Sequence, residues 1–238
     1  MKSNWKEYLI ELVIVIIGIT IAFWLNNMAE AAKEDKLEAK FVNDIRSDLI
    51  RDSTNLHSSF RFSKTKGEKV EGILQLLIQD EEMKYQDSLF QSIDIIGTYN
   101  FFFPESFTIN SLLQSGDFKT LKSDKLKKEL LRLRWMYEMI ERDQNNFTKA
   151  LDENYYPKVL TEIDMISGDV HNPSFFYGTQ FRNWIVYVHN DTANLRAQYG
   201  RAQTQIRKIL DIIDALQNEL AILPLRPGAY HPVIPTSV

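Results

Sequence analysis

The sequence has no cysteine, and this absence excludes disulfides, thiolate catalysis and cysteine-based zinc or iron–sulfur sites. Glycine and proline are also scarce, with 9 and 7 in 238 residues. Neither occurs from Ile19 to Lys66, which leaves a long stretch without a helix-breaking residue. A formal net charge of −4 argues against a nucleic-acid-binding protein, so we expect no nucleic-acid partner.

Recognisable catalytic and metal-binding motifs are missing as well. No histidine has an acid or a second histidine at a helical spacing suited to a metal ion; the four are His57, His171, His189 and His231. The sequence contains no H-E-x-x-H zinc motif, no phosphate-binding loop and no G-x-S-x-G elbow. We therefore expect no enzymatic activity, no cofactor and no metal site.

One long hydrophobic run stands near the N-terminus. Leu12–Leu25 reads LVIVIIGITIAFWL without a charge, and extension to Tyr8 adds one acid, Glu11. As a helix, residues 8–25 are about 27 Å long, close to the thickness of a bilayer core. Aromatic rings near its ends favour the headgroup region; they belong to Trp5, Tyr8 and Trp24. The run predicts a transmembrane helix.

Two other interpretations of this run are open. Lys2 and Lys6 are compatible with the basic region of a cleaved signal peptide, with Ala29–Ala31 as a small-x-small site, although nearby acids dilute that charge. A buried core helix is the other, but the rest of the chain offers no comparable apolar run to surround it.

The orientation of the predicted helix in the membrane follows from the order of anchor and domain along the chain more than from the flanking charges. Lys2 and Lys6 precede the run, while Lys33, Lys36 and Lys40 follow it, so the positive-inside count is nearly a tie. An N-terminal anchor before a large domain usually leaves the N-terminus in the cytoplasm. We expect a single-pass protein of the cytoplasmic (inner) membrane whose soluble domain lies outside, in the periplasm.

The segment Glu11–Glu30, ELVIVIIGITIAFWLNNMAE, resembles the N-terminal signature of an uncharacterised bacterial family of single-pass membrane proteins. That pattern is an acid, an aliphatic run containing I-G-I-x-I-A, two asparagines and an acid. An aromatic residue often follows the asparagines in the family, whereas this chain has Met28. The resemblance implies a membrane protein with a helical soluble domain, and it implies no reaction.

Several residues of the predicted anchor are candidates for assembly within the membrane. Glu11 either contacts another helix or reaches back to the interface. Gly18 and Ala22 have the small-xxx-small spacing that lets helix backbones approach closely. Asn26 and Asn27 mark the predicted exit into the headgroup layer.

The remaining chain is predicted to be all-α. The helical spacing of apolar residues predicts one helix over 6–63 and another over 67–79, and the two can be fused into one. A third helix is predicted to begin after Ser123, which serves as its N-cap. The last helix carries a sustained a/d seam: Phe181, Ile185, Val188, Thr192, Leu195, Tyr199, Ala202, Ile206, Ile209, Ile213, Leu216 and Leu220. We predict an anchor over 1–28, an elongated antiparallel bundle of three or four helices over 29–222, and a proline-rich tail over 223–238.

Two features of the bundle are candidate partner surfaces. The first is aromatic, with Tyr99, Phe101, Phe102 and Phe103, and its alternative is a cap on the bundle core. Thr108 is predicted to cap a short helix after it that Gly116 ends. The second is a basic run from Lys119 to Arg134, including Lys125, Lys127 and Lys128, whose alternative is a solvated helix face.

These observations favour an interaction scaffold or an accessory subunit of a larger membrane complex, with the bilayer and a protein partner or a second copy as its contacts. A ligand-sensing bundle that signals through a separate transducing protein is the main alternative. A pore formed by oligomerisation is a third possibility, supported only by one apolar helix with one acid.

Overall fold

The computed structural model describes residues 5–79, 89–90, 93–105, 107–167 and 169–222. It is all-α: the described residues form no strand, and one isolated bridge joins Ile163 to Val170. The helices in chain order are α1 (Trp5–Gln79), α2 (Ile93–Gly97), α3 (Phe107–Ser115), α4 (Asp124–Ala150), α5 (Tyr156–Glu162) and α6 (Thr179–Ile222). Short 3₁₀ turns cover Asp117–Thr120 and Pro173–Phe175, and a π-helical turn covers Leu151–Tyr155. The predicted tail, 223–238, lies outside the described residues.

Helix α1 is one uninterrupted helix of 75 residues, so the two predicted segments 6–63 and 67–79 are fused. The helix passes without a break through the predicted boundary between anchor and bundle at residue 28. Its first buried residue is Val42, so the bundle core begins there. The part of α1 from Tyr8 to Ala31 is exposed and projects from the bundle as a lone helix, whereas Asp35, Glu38 and Phe41 contact the bundle.

Three heptad seams build the core of the bundle. The predicted seam of α6 is confirmed, because every member from Phe181 to Ile213 is buried. Helix α4 buries residues at the same alternating spacing of 4 and 3 from Leu126 to Phe147, and α1 does so from Val42 to Leu77. Such a repeat keeps one stripe of each helix facing its neighbours over the whole length.

Side-chain pairs fix the directions of the long helices. Arg46 pairs with Asp214 at one end, and Glu71 pairs with His189 at the other, so α6 runs antiparallel to α1. Helix α4 is antiparallel to α6 too, since Glu129 near its start bonds Lys208 and Gln144 near its end bonds Tyr199. Helices α1 and α4 are therefore parallel to each other.

Residues 93–122 connect to α4 through two short helices, a 3₁₀ turn and irregular backbone, where a fourth long helix was possible. They are called here the return segment. It descends along α1, because Thr98 contacts Lys66, Glu105 contacts Asp52 and Lys122 contacts Glu38. Its descent from α2 to the start of α4 lets both α1 and α4 rise in the same direction.

The N-terminus of α3 differs from the prediction. The backbone N–H of Thr108 donates to Asp48 Oδ2 at 3.1 Å, so a side chain of α1 caps α3, and Thr108 lies within the helix. The predicted end is confirmed, because Gly116 adopts φ 80° directly after Ser115. The predicted cap of α4 is confirmed too, since Ser123 Oγ accepts from the N–H of Leu126 at 3.2 Å.

We expect Gly116→Ala to destabilise the protein by about 1 kcal/mol, because a side chain strains a left-handed backbone. Gly72→Ala is the matched control. Gly72 is exposed to solvent and lies far from either end of α1, and a Cβ there meets nothing within 4 Å. This control should stabilise the protein by about 0.5–1 kcal/mol. Urea unfolding followed by circular dichroism measures both, and two shifts of the same sign would contradict the role given to Gly116.

Candidate functional site

The lone part of α1 carries an apolar surface that no other element covers. All eighteen residues from Tyr8 to Leu25 are exposed. Among the described residues, α1 is the one helix long and apolar enough to cross a membrane, and none of its apolar window is buried in the protein. The alternative of a buried core helix is therefore wrong, since the run packs against nothing in the described chain.

The five predicted assembly residues all lie on this lone part and are exposed. At 100° per residue, Glu11, Gly18 and Ala22 fall within about 40° of one another, and Asn26 lies about 60° from Glu11. Asn27 falls on another side of the helix. A Cβ on Gly18 would meet nothing within 4 Å, so close approach of a second helix is sterically open there.

The basic residues lie at the end of the bundle next to the lone helix. Lys122 pairs with Asp35, and its Nζ is 3.7 Å from Glu38, which joins the start of α4 to α1. These contacts raise the pKa of Lys122, chiefly through the hydrogen bond to Asp35. The pairing places the basic run about 15 Å along α1 from the asparagine pair.

The three predicted lysines do not form one surface. Lys125 and Lys128 are exposed and lie about 60° apart around α4, while Lys127 lies on another side and pairs with Asp124 at 2.8 Å. This hydrogen bond from Lys127 lowers the pKa of Asp124. Only Lys125 and Lys128 are therefore presented together to solvent.

The aromatic residues of the return segment are divided between surface and core. Tyr99 stacks on Phe101 with ring centroids 4.2 Å apart, and Phe101 meets the edge of Phe147. Phe103 is exposed, whereas Phe102 is 1 % exposed and packs on Tyr137. Phe102 is thus a core residue, and its ring is not available to a partner. This correction leaves Tyr99 and Phe103 as the exposed members of the predicted surface.

A buried lysine, Lys66, joins the first residues of the return segment to α1. This lysine was not identified from the sequence. Lys66 is 3 % exposed, and its Nζ donates to the carbonyls of Ile96 at 2.9 Å and Thr98 at 2.8 Å. The ammonium also lies 4.9 Å from the ring centroid of Phe147. Burial lowers the pKa of Lys66 to about 8. A lysine at a seam position of α1 was the available signal.

A small cavity adjoins Lys66 and Asp191. Its volume is about 20 Å³, room for about one water molecule. Burial raises the pKa of Asp191 to about 6, with the nearby Asp143 as a second cause. Within the described residues Asp191 Oδ2 has no hydrogen-bond partner. The cavity thus suits a buried water, and its size does not match an organic ligand.

A second buried polar group, lower in the bundle, also serves the return segment. Asp52 accepts from Tyr137 Oη at 2.8 Å and from the N–H of Glu105 at 2.7 Å. Burial raises the pKa of Asp52, and it raises that of Tyr137 well above the ordinary value. Arg51 adds contacts to Asp48 and Glu105 at the surface. These groups fix the backbone of the return segment. No set of three potential metal ligands comes together in the part of the chain that the structure describes.

Comparison with known proteins places this architecture in a family. A model of a family of unknown function (DUF6090) matches residues 11–174, which is more than half of the chain. The matched region begins at Glu11 and ends before α6. No curated protein and no solved structure matches the chain. On the extent of the family match, this chain belongs to the family of unknown function DUF6090.

Proposed function

We propose that this protein is a single-pass membrane protein that acts as an interaction scaffold or accessory subunit of a larger membrane complex. The observation that carries the proposal is the joining of an exposed apolar span and a bundle helix in one continuous helix, α1. An exposed apolar surface of this length is costly in water and stable in a bilayer.

The continuity of α1 gives the proposed anchor a mechanical role. At 1.5 Å per residue the helix is about 110 Å long. About 22 Å separate the predicted membrane exit at Asn27 from the first core residue, Val42. Because no break interrupts the helix, the bundle is held at a fixed distance from the bilayer, and a tilt of the span moves the bundle with it.

The proposal includes a location and an orientation in the membrane. We place the N-terminus in the cytoplasm, the span in the inner membrane and the bundle in the periplasm. The basic end of the bundle then lies nearest to the membrane, and the contact of Glu71 with His189 lies toward the far end. Alkaline phosphatase fused after Val238 should be active, and a green fluorescent protein at the same site should be dark.

Membrane insertion is tested by placing charge in the span. We expect the wild-type protein to resist extraction by alkaline carbonate. Ile14→Lys with Ile17→Lys should release it, since each lysine costs about 2.5–3.5 kcal/mol near the middle of a span. Ala29→Lys with Ala31→Lys adds the same charge to exposed positions beyond the span and should leave the protein in the membrane. Release of the wild type, or equal release of both variants, would contradict the proposed anchor.

Partner binding is tested on the full chain purified in mild detergent. A second protein should co-purify at a constant ratio, and native mass spectrometry gives the composition of the complex. Recovery of the bare chain alone would contradict the accessory role. In the same experiment Gly18→Leu reports whether the span associates with a second helix at the small-residue face.

No observation favours the ligand-sensing alternative. Within the described residues, the cavity next to the aromatic residues holds about one water molecule. Sites for organic ligands usually have volumes of about 300–1,000 Å³, so this cavity is too small for one.

A further inference from the structure

A groove on the outer side of the bundle, between α1 and α6, has more cations than carboxylates along its middle. The nearest exposed acids, Glu68 and Asp211, lie four residues beyond Lys64 and Arg207. Its central part has a volume of about 430 Å³ and is lined by seven residues: Ser53, Thr54, His57, Gln203, Ile206, Arg207 and Leu210. One contact between the two helices marks each end: the ion pair of Arg46 with Asp214 at 3.4 Å, and the contact of Glu71 with His189 at 3.0 Å. About 37 Å of helix separates Arg46 from Glu71.

Carboxylates are missing from the two stretches of helix that border the groove. Residues 196–210 of α6 contain no acid, and the only acid in residues 50–64 of α1 is Asp52, which is buried against Tyr137. Arg207 lines the groove, and the same two stretches of helix carry three further cations, Arg61, Lys64 and Arg196. Among the described residues, none of these four has a carboxylate within salt-bridge distance, unlike Arg51 and Lys208 nearby.

The floor of the groove is partly apolar. Ile206 and Leu210 line the groove, and Phe60 is partly buried at the junction of the two helices. Gly200 lies against Phe60, since a Cβ on it would be 3.5 Å from that ring. The guanidinium of Arg196 reaches across toward α1, with Nη1 3.7 Å from the Cβ position of Gly67. An apolar floor with unpaired cations along both sides has the layout of a protein interface with a charged rim.

We propose that this cationic groove binds an acidic amphipathic helix of the partner protein. A third helix packs naturally into the groove between two long helices. Its apolar face would cover Leu210, and carboxylates about eleven residues apart, three helical turns, would face Arg196 and Arg207. The inference rests on the proposed function, because it names the chemistry of the partner and the surface that receives it. A nucleic acid would use the cations and leave the apolar floor uncovered, so the groove fits a helix better.

Site-specific photo-crosslinking of the full-length protein in its native membrane tests the proposal. A photoreactive amino acid replaces Thr54 in the groove or, as a control on α4, the exposed Trp135. We expect the Thr54 probe to capture one protein and the crosslinked peptide to be an acid-rich helical segment. Arg196→Gln with Arg207→Gln should lower this yield about tenfold or more, because the two charges that face the helix are lost.

Arg142→Gln with Lys149→Gln removes the same charge from exposed positions of α4 and should leave the yield unchanged. Circular dichroism confirms that both double variants are folded. The proposal is overturned by capture of nucleic acid, of a second copy of this chain or of a segment without acids. The proposal is also overturned if the crosslinking yield at Thr54 does not fall in the groove double variant, or if it falls equally in both double variants. If a protein co-purifies stoichiometrically but crosslinks only at Trp135, the accessory role stands and the groove assignment fails.

Discussion

Gln144→Leu is expected to destabilise the protein by about 3–5 kcal/mol, a larger loss than most single substitutions cause. Gln144 is 2 % exposed and occupies a seam position of α4. Its amide accepts from the N–H of Phe102 at 2.9 Å, donates to the carbonyl of Phe102 at 2.9 Å and accepts from Tyr199 Oη at 2.8 Å. Leucine fills the volume but leaves three buried polar groups without their partner, at about 1–3 kcal/mol each.

Tyr199→Phe is the matched control, because it removes one of these three hydrogen bonds and keeps the ring. We expect it to cost about 1 kcal/mol. Thermal unfolding should show the contrast as a fall in Tm of about 10 °C or more for Gln144→Leu and a few degrees for Tyr199→Phe. Equal shifts would mean that Gln144 does not hold the return segment.

The stability of the protein should rise between pH 8 and about pH 9.5, by about 2 kcal/mol. The folded-state pKa of Lys66 is about 8, below the ordinary 10.5, because burial penalises its ammonium. Between these two values the folded protein binds one proton fewer than the unfolded chain, so raising the pH favours the folded state. The carbonyls of Ile96 and Thr98 can still accept from the neutral amine.

Other buried groups give the opposite sign outside this window. Burial raises the pKa of Asp191 from 3.8 to about 6, so stability should fall as pH rises between those values. The pKa values of Tyr155 and Tyr199 are raised above 10, which lowers stability at still higher pH. Stability is therefore expected to be greatest near pH 10.

Lys66→Met isolates the alkaline effect. We expect the rise between pH 8 and about pH 9.5 to vanish in this variant and to persist in Lys69→Met, an exposed lysine on the same helix. Urea unfolding in a pH series measures the slope, whatever stability each variant has at a single pH. A rise that survives in Lys66→Met would contradict the assignment.

The helices themselves were predictable because their signals are local. The a/d spacing of α6 depends on residues three and four positions apart, and it predicted the buried face correctly from Phe181 to Ile213. Ser123 and Gly116 were recognised from the capping preferences of serine and glycine. The exposed apolar run before Asn26 was equally readable, as it is continuous in sequence.

The cap of α3 was not predictable in the same way. Thr108 is a reasonable cap by residue type, but Asp48, some sixty residues earlier, occupies the position next to its N–H. A cap supplied from another helix leaves no pattern near the helix that it caps. Phe102 was misplaced for a related reason, since an aromatic residue in a non-helical segment gives no sign of which face it buries.

The sequence alone determined the all-α class, the N-cap of α4, the buried face of α6 and the exposed apolar span, because each depends on neighbouring residues. Only the tertiary structure decided which polar residues enter the core. In the heptad seams, Asp52, Lys66 and Gln144 are polar residues at buried positions, and each one faces the return segment. There the buried polar groups meet backbone N–H and carbonyl groups of residues 96–105. Every residue type except proline carries both groups, so no sequence pattern marks them.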